Sequence, residues 1–312
     1  MIDFVIAGPP KSGTGSLYRW LCDHPDLQGS LPKEPFFLMD QSDPLIGNCP
    51  APTVHEAGLG GYEAFFPEPR SGRLRFEATT HYYRQATARA VLSGMSSDLV
   101  IVFVLRKPSR RMLSAFLYAR EELGKISPEL DFTTYVNRLL DGNVQAIAPF
   151  VAADRRALLP HALEHGHYVE WLIRWRESVG DERLHLILFE AMIENPRREL
   201  CRLCSRLGID ETFYDDYSFP HHNRTILMKF RSLQHLGRLV APAIPQVAKR
   251  QLRRWYVRIQ ERHPTSHETT AWTAALERLD AHFAPWNARL ANEFGLDLDI
   301  WSNSPSRPED KR

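Results

Sequence analysis

The stretch GPPKSGTGSLYRWL, residues 8–21, decides how this chain folds. Ahead of it runs a short apolar segment, Phe4, Val5, Ile6 and Ala7, and behind it Leu17, Trp20 and Leu21 fall on one helical face. The order is therefore a strand over 4–7, a glycine-containing loop, and a helix over 14–24. A helix N-terminus presents unpaired N–H groups and the positive end of its dipole, and glycines before it let the backbone curl closely around an anion. Gly13 and Gly15 supply that freedom, and Ser12, Gly13, Thr14, Gly15 and Ser16 line up their backbone N–H groups. Thr14 and Ser16 add hydroxyls, and Lys11 sets a mobile positive charge at the mouth of the loop.

A nucleotide-triphosphate loop of the G-x-x-x-x-G-K-[ST] type places its lysine directly after the second glycine and its hydroxyl on a magnesium ion. Gly8 and Gly13 have that spacing, but Thr14 stands where the lysine belongs, and the lysine has moved forward to position 11. The departure speaks against a nucleotide kinase or ATPase and for a loop that holds a phosphate-bearing ligand without magnesium. A plain strand-to-helix turn is the alternative for the loop taken alone.

Further strands are expected over 74–78, 99–105 (LVIVFVL) and 184–189 (LHLILF), each a continuous apolar run followed by a helical pattern. Helices are expected over 108–123, 132–140, 166–178 and 196–207, the last with Asn195 as N-cap and Pro196 at its first position. Residues 38–61, rich in Pro, Gly and small polar side chains, read as loop. Continuous apolar strands alternating with helices imply a parallel sheet covered on both faces. A chain of 312 residues is long enough for one such α/β domain, expected over 1–301, with 302–312 too polar to pack.

Composition sets the outer bounds. A hydrophobic share of 43% and a charged share of 25% exclude a disordered or collagen-like chain. The formal charge of +1 gives no global pull toward nucleic acid, so any anion site must come from local placement of Lys and Arg. One local excess exists: residues 224–262 carry about ten Lys and Arg against one acid, which suits an anionic acceptor, a solvated helix face, or peripheral contact with anionic lipid. The N-terminal apolar run is too short and too poor in basic residues for a signal peptide, and no stretch reaches the roughly 18 to 20 apolar residues that span a bilayer, so a cytoplasmic location is expected. Cys201 and Cys204 form a C-x-x-C, but Leu200, Leu203 and Leu207 make that segment one helix stripe, and no second ligand pair accompanies it; buried thiols are expected, not a zinc or redox site.

A second anion motif lies in LVIVFVLRKPSRRMLSAFLYAR, residues 99–120. Arg106 follows a buried strand, where α/β sheets bind ligands, and Ser114 sits in the helix after it; a guanidinium fork and a hydroxyl suit a phosphate. The alternative is that Arg106 pairs with a carboxylate at the sheet edge.

Together these segments resemble the sulfotransferase family, nearest to its bacterial and glycosaminoglycan (heparan sulfate) types. Residues 11–17 are similar to K-x-G-T-[ST]-x-L, the 5′-phosphosulfate loop, with Gly15 in place of a hydroxyl residue. Arg106, Pro108, Arg111 and Ser114 match R-D-P-x-x-R-x-x-S, the 3′-phosphate motif, with Lys107 replacing the acid. LPKEPFFL (31–38) looks like K-E-x-x-F-F, and RFEATTHYY (75–83) like G-E-A-T-P-x-Y. GHYVEWLIRW (166–175) looks like G-x-Y…L-x-x-W, LHLILFEAMIENPRREL (184–200) like a strand with E-x-L-x-x-x-P, and HFAPWNARLANEFGLDLDIW (282–301) like Y-x-P-x-N-x-x-L…G-x-D-L-x-x-W. The resemblance implies a P-loop NTPase-like, three-layer α/β/α fold with a mainly parallel central sheet and helical insertions. It also implies 3′-phosphoadenosine 5′-phosphosulfate as co-substrate, no metal, and a saccharide, glycolipid or small-metabolite acceptor. By the same resemblance Glu34 is the base, Lys11 faces the leaving phosphate, and Arg106 and Ser114 hold the 3′-phosphate. His81 is the rival base, since imidazole titrates near neutrality. A P-loop kinase and a donor-binding homologue without turnover are the competing readings.

Overall fold

A computed structural model of the chain describes residues 2–66, 72–220 and 265–302, together with the backbone of Leu227–Met228 and Glu261–Arg262. The basic segment 224–262, apart from those two backbone pairs, and the tail 303–312 lie outside the described residues. The described residues divide into two compact units, those of Met1–Arg111, Leu163–Asn223 and His282–Pro305, and those of Met112–Ala162 and Arg224–Ala281.

The first unit is built on a five-stranded sheet, all parallel, in the order β2-β3-β1-β4-β5: β1 is Phe4–Gly8, β2 Leu27–Gly29, β3 Leu74–Glu77, β4 Val100–Leu105 and β5 Leu184–Leu188. The pleat sorts its side chains by period two. Phe4, Ile6, Val100, Val102 and Val104 join Ile187 and Phe76 in one core with Leu17, Trp20 and Leu21 of α1 (Thr14–Cys22). The same core takes Met192 of α8 (Phe189–Glu194) and Leu200, Leu203 and Cys204 of α9 (Pro196–Leu207). On the other face Phe103 meets the ring of Trp175, on α7 (Tyr168–Val179), at 5.5 Å, and α7 lies along α3 (Ala86–Ser93). Helices on both faces of a parallel sheet make the three-layer α/β/α, P-loop-like arrangement that the alternation of runs implied.

Strand pairing explains why β1 and β4 are apolar throughout: β1 lies between β3 and β4, and all of its residues are buried. The cap of α9 is as the sequence indicates, with the Asn195 side chain accepting from the Arg198 N–H at 3.0 Å and Gly208 closing the far end at φ 67. Two expectations need correction. Residues 38–61 are not plain loop: they hold a turn of 3₁₀ helix at Ile46–Asn48, the short helix α2 (Val54–Ala57) and the start of a 3₁₀ run at Leu59–Phe65. Thr53 and Glu56 form a capping box there, Glu56 Oε2 taking the Thr53 N–H at 2.7 Å. The segment expected as one helix over 108–123 is α4 (Pro108–Leu117) followed by a π-helical turn, Tyr118–Glu122.

In the second unit, α5 (Phe132–Leu140) is capped by Asp131, whose carboxylate accepts from the Thr134 N–H at 2.8 Å, and α6 (Ala153–Arg156) follows it. The helix α10 (Ser266–Phe294) belongs to this unit as far as Ala281 and from His282 on to the first, which also holds its Pro285 and α11 (Asp299–Ser302), the last described element. Among the described residues no helix is long and apolar enough to cross a membrane. Cys204 is buried and Cys201 half-buried, both as free thiols.

Candidate active site

The loop between β1 and α1 is shaped by three residues with left-handed backbone: Gly8 at φ 125, Lys11 at φ 68 and Gly13 at φ 84. Neither glycine has room for a side chain. A Cβ at Gly8 would stand 2.0 Å from the carbonyl oxygen of Thr80, and one at Gly13 would stand 2.5 Å from the Phe189 ring. Gly13 is the N-cap of α1 and offers no side chain to it; the Ser16 N–H donates to the Gly13 carbonyl at 3.0 Å, and no cap side chain competes with a ligand for the N–H groups of Thr14 and Gly15. Ser12 is fully buried and its Oγ has no hydrogen-bond partner; Thr14 and Ser16 are buried on the first turn of α1, and Gly15 between them is half-buried. An orphaned hydroxyl below an uncapped helix start fits a bound phosphate oxygen.

Arg106, just past the end of β4, turns back to that loop. Its Nη1 donates to the carbonyl oxygen of Lys11 at 3.1 Å, and its guanidinium lies over the Phe189 ring at 4.6 Å. Its Nε has no partner. Burial pulls the Arg106 pKa down, and the neighbouring Glu190 carboxylate works against that. The two segments read from the sequence as anion motifs thus meet side by side. Ser114 is buried on α4 and belongs to the second unit.

Glu34 lies between β2 and β3. Its Oε1 accepts from Lys33 Nζ at 2.8 Å and from Thr80 Oγ1 at 3.1 Å. Burial raises its pKa, but the charge and hydrogen bond of Lys33, the charge of His81 and the bond from Thr80 together outweigh that and hold the carboxyl below its ordinary range. Glu34 is therefore an anion at neutral pH, the form a proton acceptor needs. His81 stacks on Phe36 at 5.9 Å between ring centres, and acts on Glu34 as a nearby positive charge.

Three residues were missed in the sequence. Thr80 touches both halves of the site, its carbonyl against Gly8 and its hydroxyl on Glu34. Phe189 supports both Gly13 and Arg106, and an aromatic residue at a strand's end was the only signal for it. Glu77, at the end of β3, is fully buried; its Oε1 accepts from Tyr62 at 2.7 Å and its Oε2 from Thr79 at 2.6 Å. Tyr82, another donor to it, in turn accepts from the Leu38 N–H at 2.9 Å, which ties the segment after Glu34 to this carboxyl. Burial pushes Glu77 up to about 7, against the hydrogen bonds that favour its anion.

Residues 1–238 match the family model of the sulfotransferase domain. The chain belongs to that family. The solved sulfotransferase from Alicyclobacillus acidocaldarius shares the fold at a TM-score of 0.63 and 20% identity, over 97% of this sulfotransferase-family chain and 99% of that one. Among curated relatives, the heparan sulfate glucosamine 3-O-sulfotransferase 3B1 of Homo sapiens is 26% identical over 218 residues, 69% of this chain and 48% of its own length. The bifunctional heparan sulfate N-deacetylase/N-sulfotransferase 4 of Mus musculus is 22% identical over 229 residues, 73% of this chain and 23% of its own. The chain thus spans about half the length, or less, of these relatives.

Proposed function

We propose that this sulfotransferase-family chain moves the sulfuryl group of 3′-phosphoadenosine 5′-phosphosulfate to a hydroxyl or amine of a carbohydrate. The observation that carries the reading is the bond from Arg106 to the carbonyl of Lys11, which puts a guanidinium with a free Nε beside an uncapped helix start and an orphaned serine hydroxyl. One nucleotide with a phosphate at each end of its ribose satisfies both. In this reading the N–H groups of Ser12, Gly13, Thr14 and Gly15 and the hydroxyl of Ser16 cradle the 5′ end, and Arg106 takes the 3′-phosphate.

Glu34, ionised and half-buried, accepts the acceptor's proton as the new bond to sulfur forms and the bond from sulfur to the phosphate oxygen breaks. Lys11 faces the negative charge that builds on that oxygen, and the α1 dipole adds to it. The departing bisphosphate is a weak base, so the chain's own cations suffice to stabilise it. Likeness to two heparan sulfate sulfotransferases supports a saccharide acceptor.

Thermal unfolding tests the donor. Adenosine 3′,5′-bisphosphate without magnesium at about one hundred times its Kd raises stability by about 2.7 kcal/mol, whereas stabilisation by magnesium-ATP alone would make the chain a kinase. Mass spectrometry of saccharides incubated with donor reads the chemistry as the gain of one sulfuryl group. Glu34→Gln lowers kcat by about a hundredfold or more while donor affinity holds; unchanged turnover removes Glu34 as the base and leaves His81.

A further inference from the structure

Three residues in the segments that resemble the family, Tyr168, Glu190 and Trp301, have no task in the chemistry above, yet they converge on one peptide unit. The carbonyl of Arg106 and the N–H of Lys107 belong to the same planar group. The Tyr168 hydroxyl donates to that carbonyl at 2.8 Å, and the Lys107 N–H donates to Glu190 Oε1 at 3.1 Å. The other oxygen of Glu190 accepts from the indole N–H of Trp301 at 2.9 Å. Tyr168 and Trp301 are buried, and their rings meet edge to face at 6.4 Å.

This peptide is the joint between β4, which ends at Leu105, and α4, which begins at Pro108. Left to itself such a joint can rotate and swing the Arg106 side chain with it. A donor on its oxygen and an acceptor on its N–H fix both ends of the plane. The neighbour of Glu190, Phe189, lies under the guanidinium, so the first two residues of α8 hold Arg106 at its backbone and at its head. The guanidinium Nε still lacks a protein partner. A side chain aimed in advance loses less freedom on binding its ligand.

We infer that Tyr168, Glu190 and Trp301 are positioning residues that clamp the Arg106–Lys107 peptide, aim Arg106 at the donor's 3′-phosphate, and thereby set the preference for an adenosine nucleotide that carries this phosphate over one that lacks it. The inference rests on the reading of Arg106 as the 3′-phosphate ligand. The clamp ties the selectivity of the donor site to a residue near the end of the described chain.

Titration calorimetry with adenosine 3′,5′-bisphosphate and with adenosine 5′-monophosphate tests it on the full chain. Tyr168→Phe and Trp301→Phe each remove one polar hydrogen and keep an aromatic ring. Each weakens the bisphosphate about five- to tenfold and leaves the monophosphate within about twofold. Arg106→Ala, measured alongside, abolishes the difference between the two nucleotides. If Arg106→Ala abolishes it and both clamp variants leave it intact, or weaken both nucleotides alike, the clamp is refuted while the donor reading stands. If Arg106→Ala leaves the difference intact, the donor reading itself fails and the clamp with it. Melting temperatures recorded without nucleotide identify any variant that has lost its fold, and Glu190→Gln, which keeps an oxygen for the Lys107 N–H, then serves in its place with the same expected loss.

Discussion

Replacing Glu77 by glutamine should change how stability depends on pH, and by an amount the structure allows to be worked out. This carboxyl has an ordinary pKa of 4.5 and is raised by burial to about 7 in the folded chain. A carboxyl whose pKa rises on folding is protonated more tightly by the folded state, so its stabilising contribution is fully present below about 4.5 and is lost as pH climbs through about 7. At about 1.36 kcal/mol per pH unit the whole effect comes to about 3 kcal/mol. Most of it, about 2.5 kcal/mol, falls between about pH 5 and about pH 8. An amide at position 77 keeps one oxygen for the Tyr62 hydroxyl and can donate to Thr79, as the protonated acid would, without ever ionising. Urea unfolding at a series of pH values checks this. The wild-type chain should lose about 2.5 kcal/mol relative to Glu77→Gln across that range, with the two nearest in stability at the acid end. A difference between them that stays constant with pH would show that Glu77 ionises normally and that burial does not govern it.

Two further changes probe the loop between β1 and α1 and its proposed part in donor binding. Gly13→Ala forces a Cβ to within 2.5 Å of the Phe189 ring at a φ of 84, so it should lower stability by about 2 kcal/mol in denaturant unfolding and reduce the added stability given by adenosine 3′,5′-bisphosphate. Ser12→Ala removes a buried hydroxyl that has no partner, so the unliganded chain should be unchanged or about 1 kcal/mol more stable while bisphosphate affinity falls about fivefold; a marked loss of stability without nucleotide would mean that the hydroxyl is already bonded.

The sequence carried the parts of the site that rest on local backbone chemistry. Lys11 and Gly13 announce themselves because a tight turn before a helix demands particular residues, and Arg106 because it ends an apolar run. The Asn195-Pro196 pair marks the start of α9 for the same reason. What stayed hidden depends on partners far along the chain. Thr80 gains its place only when Gly8 and Glu34 come beside it, and Glu77, a glutamate at the end of a strand, gives no sign that Tyr62 and Thr79 bury it. β2 is only three residues long, too short for a period-two pattern, and Pro285 disguises the helix that runs through it. The capping box at Thr53 and Glu56 was present in the letters, but the Pro and Gly around it favoured a loop.

Thr80 has a practical consequence for anyone who wishes to redirect this chain to new acceptors. Its main chain forms the wall against which the loop between β1 and α1 closes at Gly8, and its hydroxyl donates to the carboxylate of Glu34. A mutant library that varies this position would remove the bond to Glu34 while keeping the carbonyl beside Gly8, which every residue carries, so changes in acceptor scope could not be told apart from damage to the carboxylate. Libraries that hold Gly8, Glu34 and Thr80 constant keep those two outcomes separate.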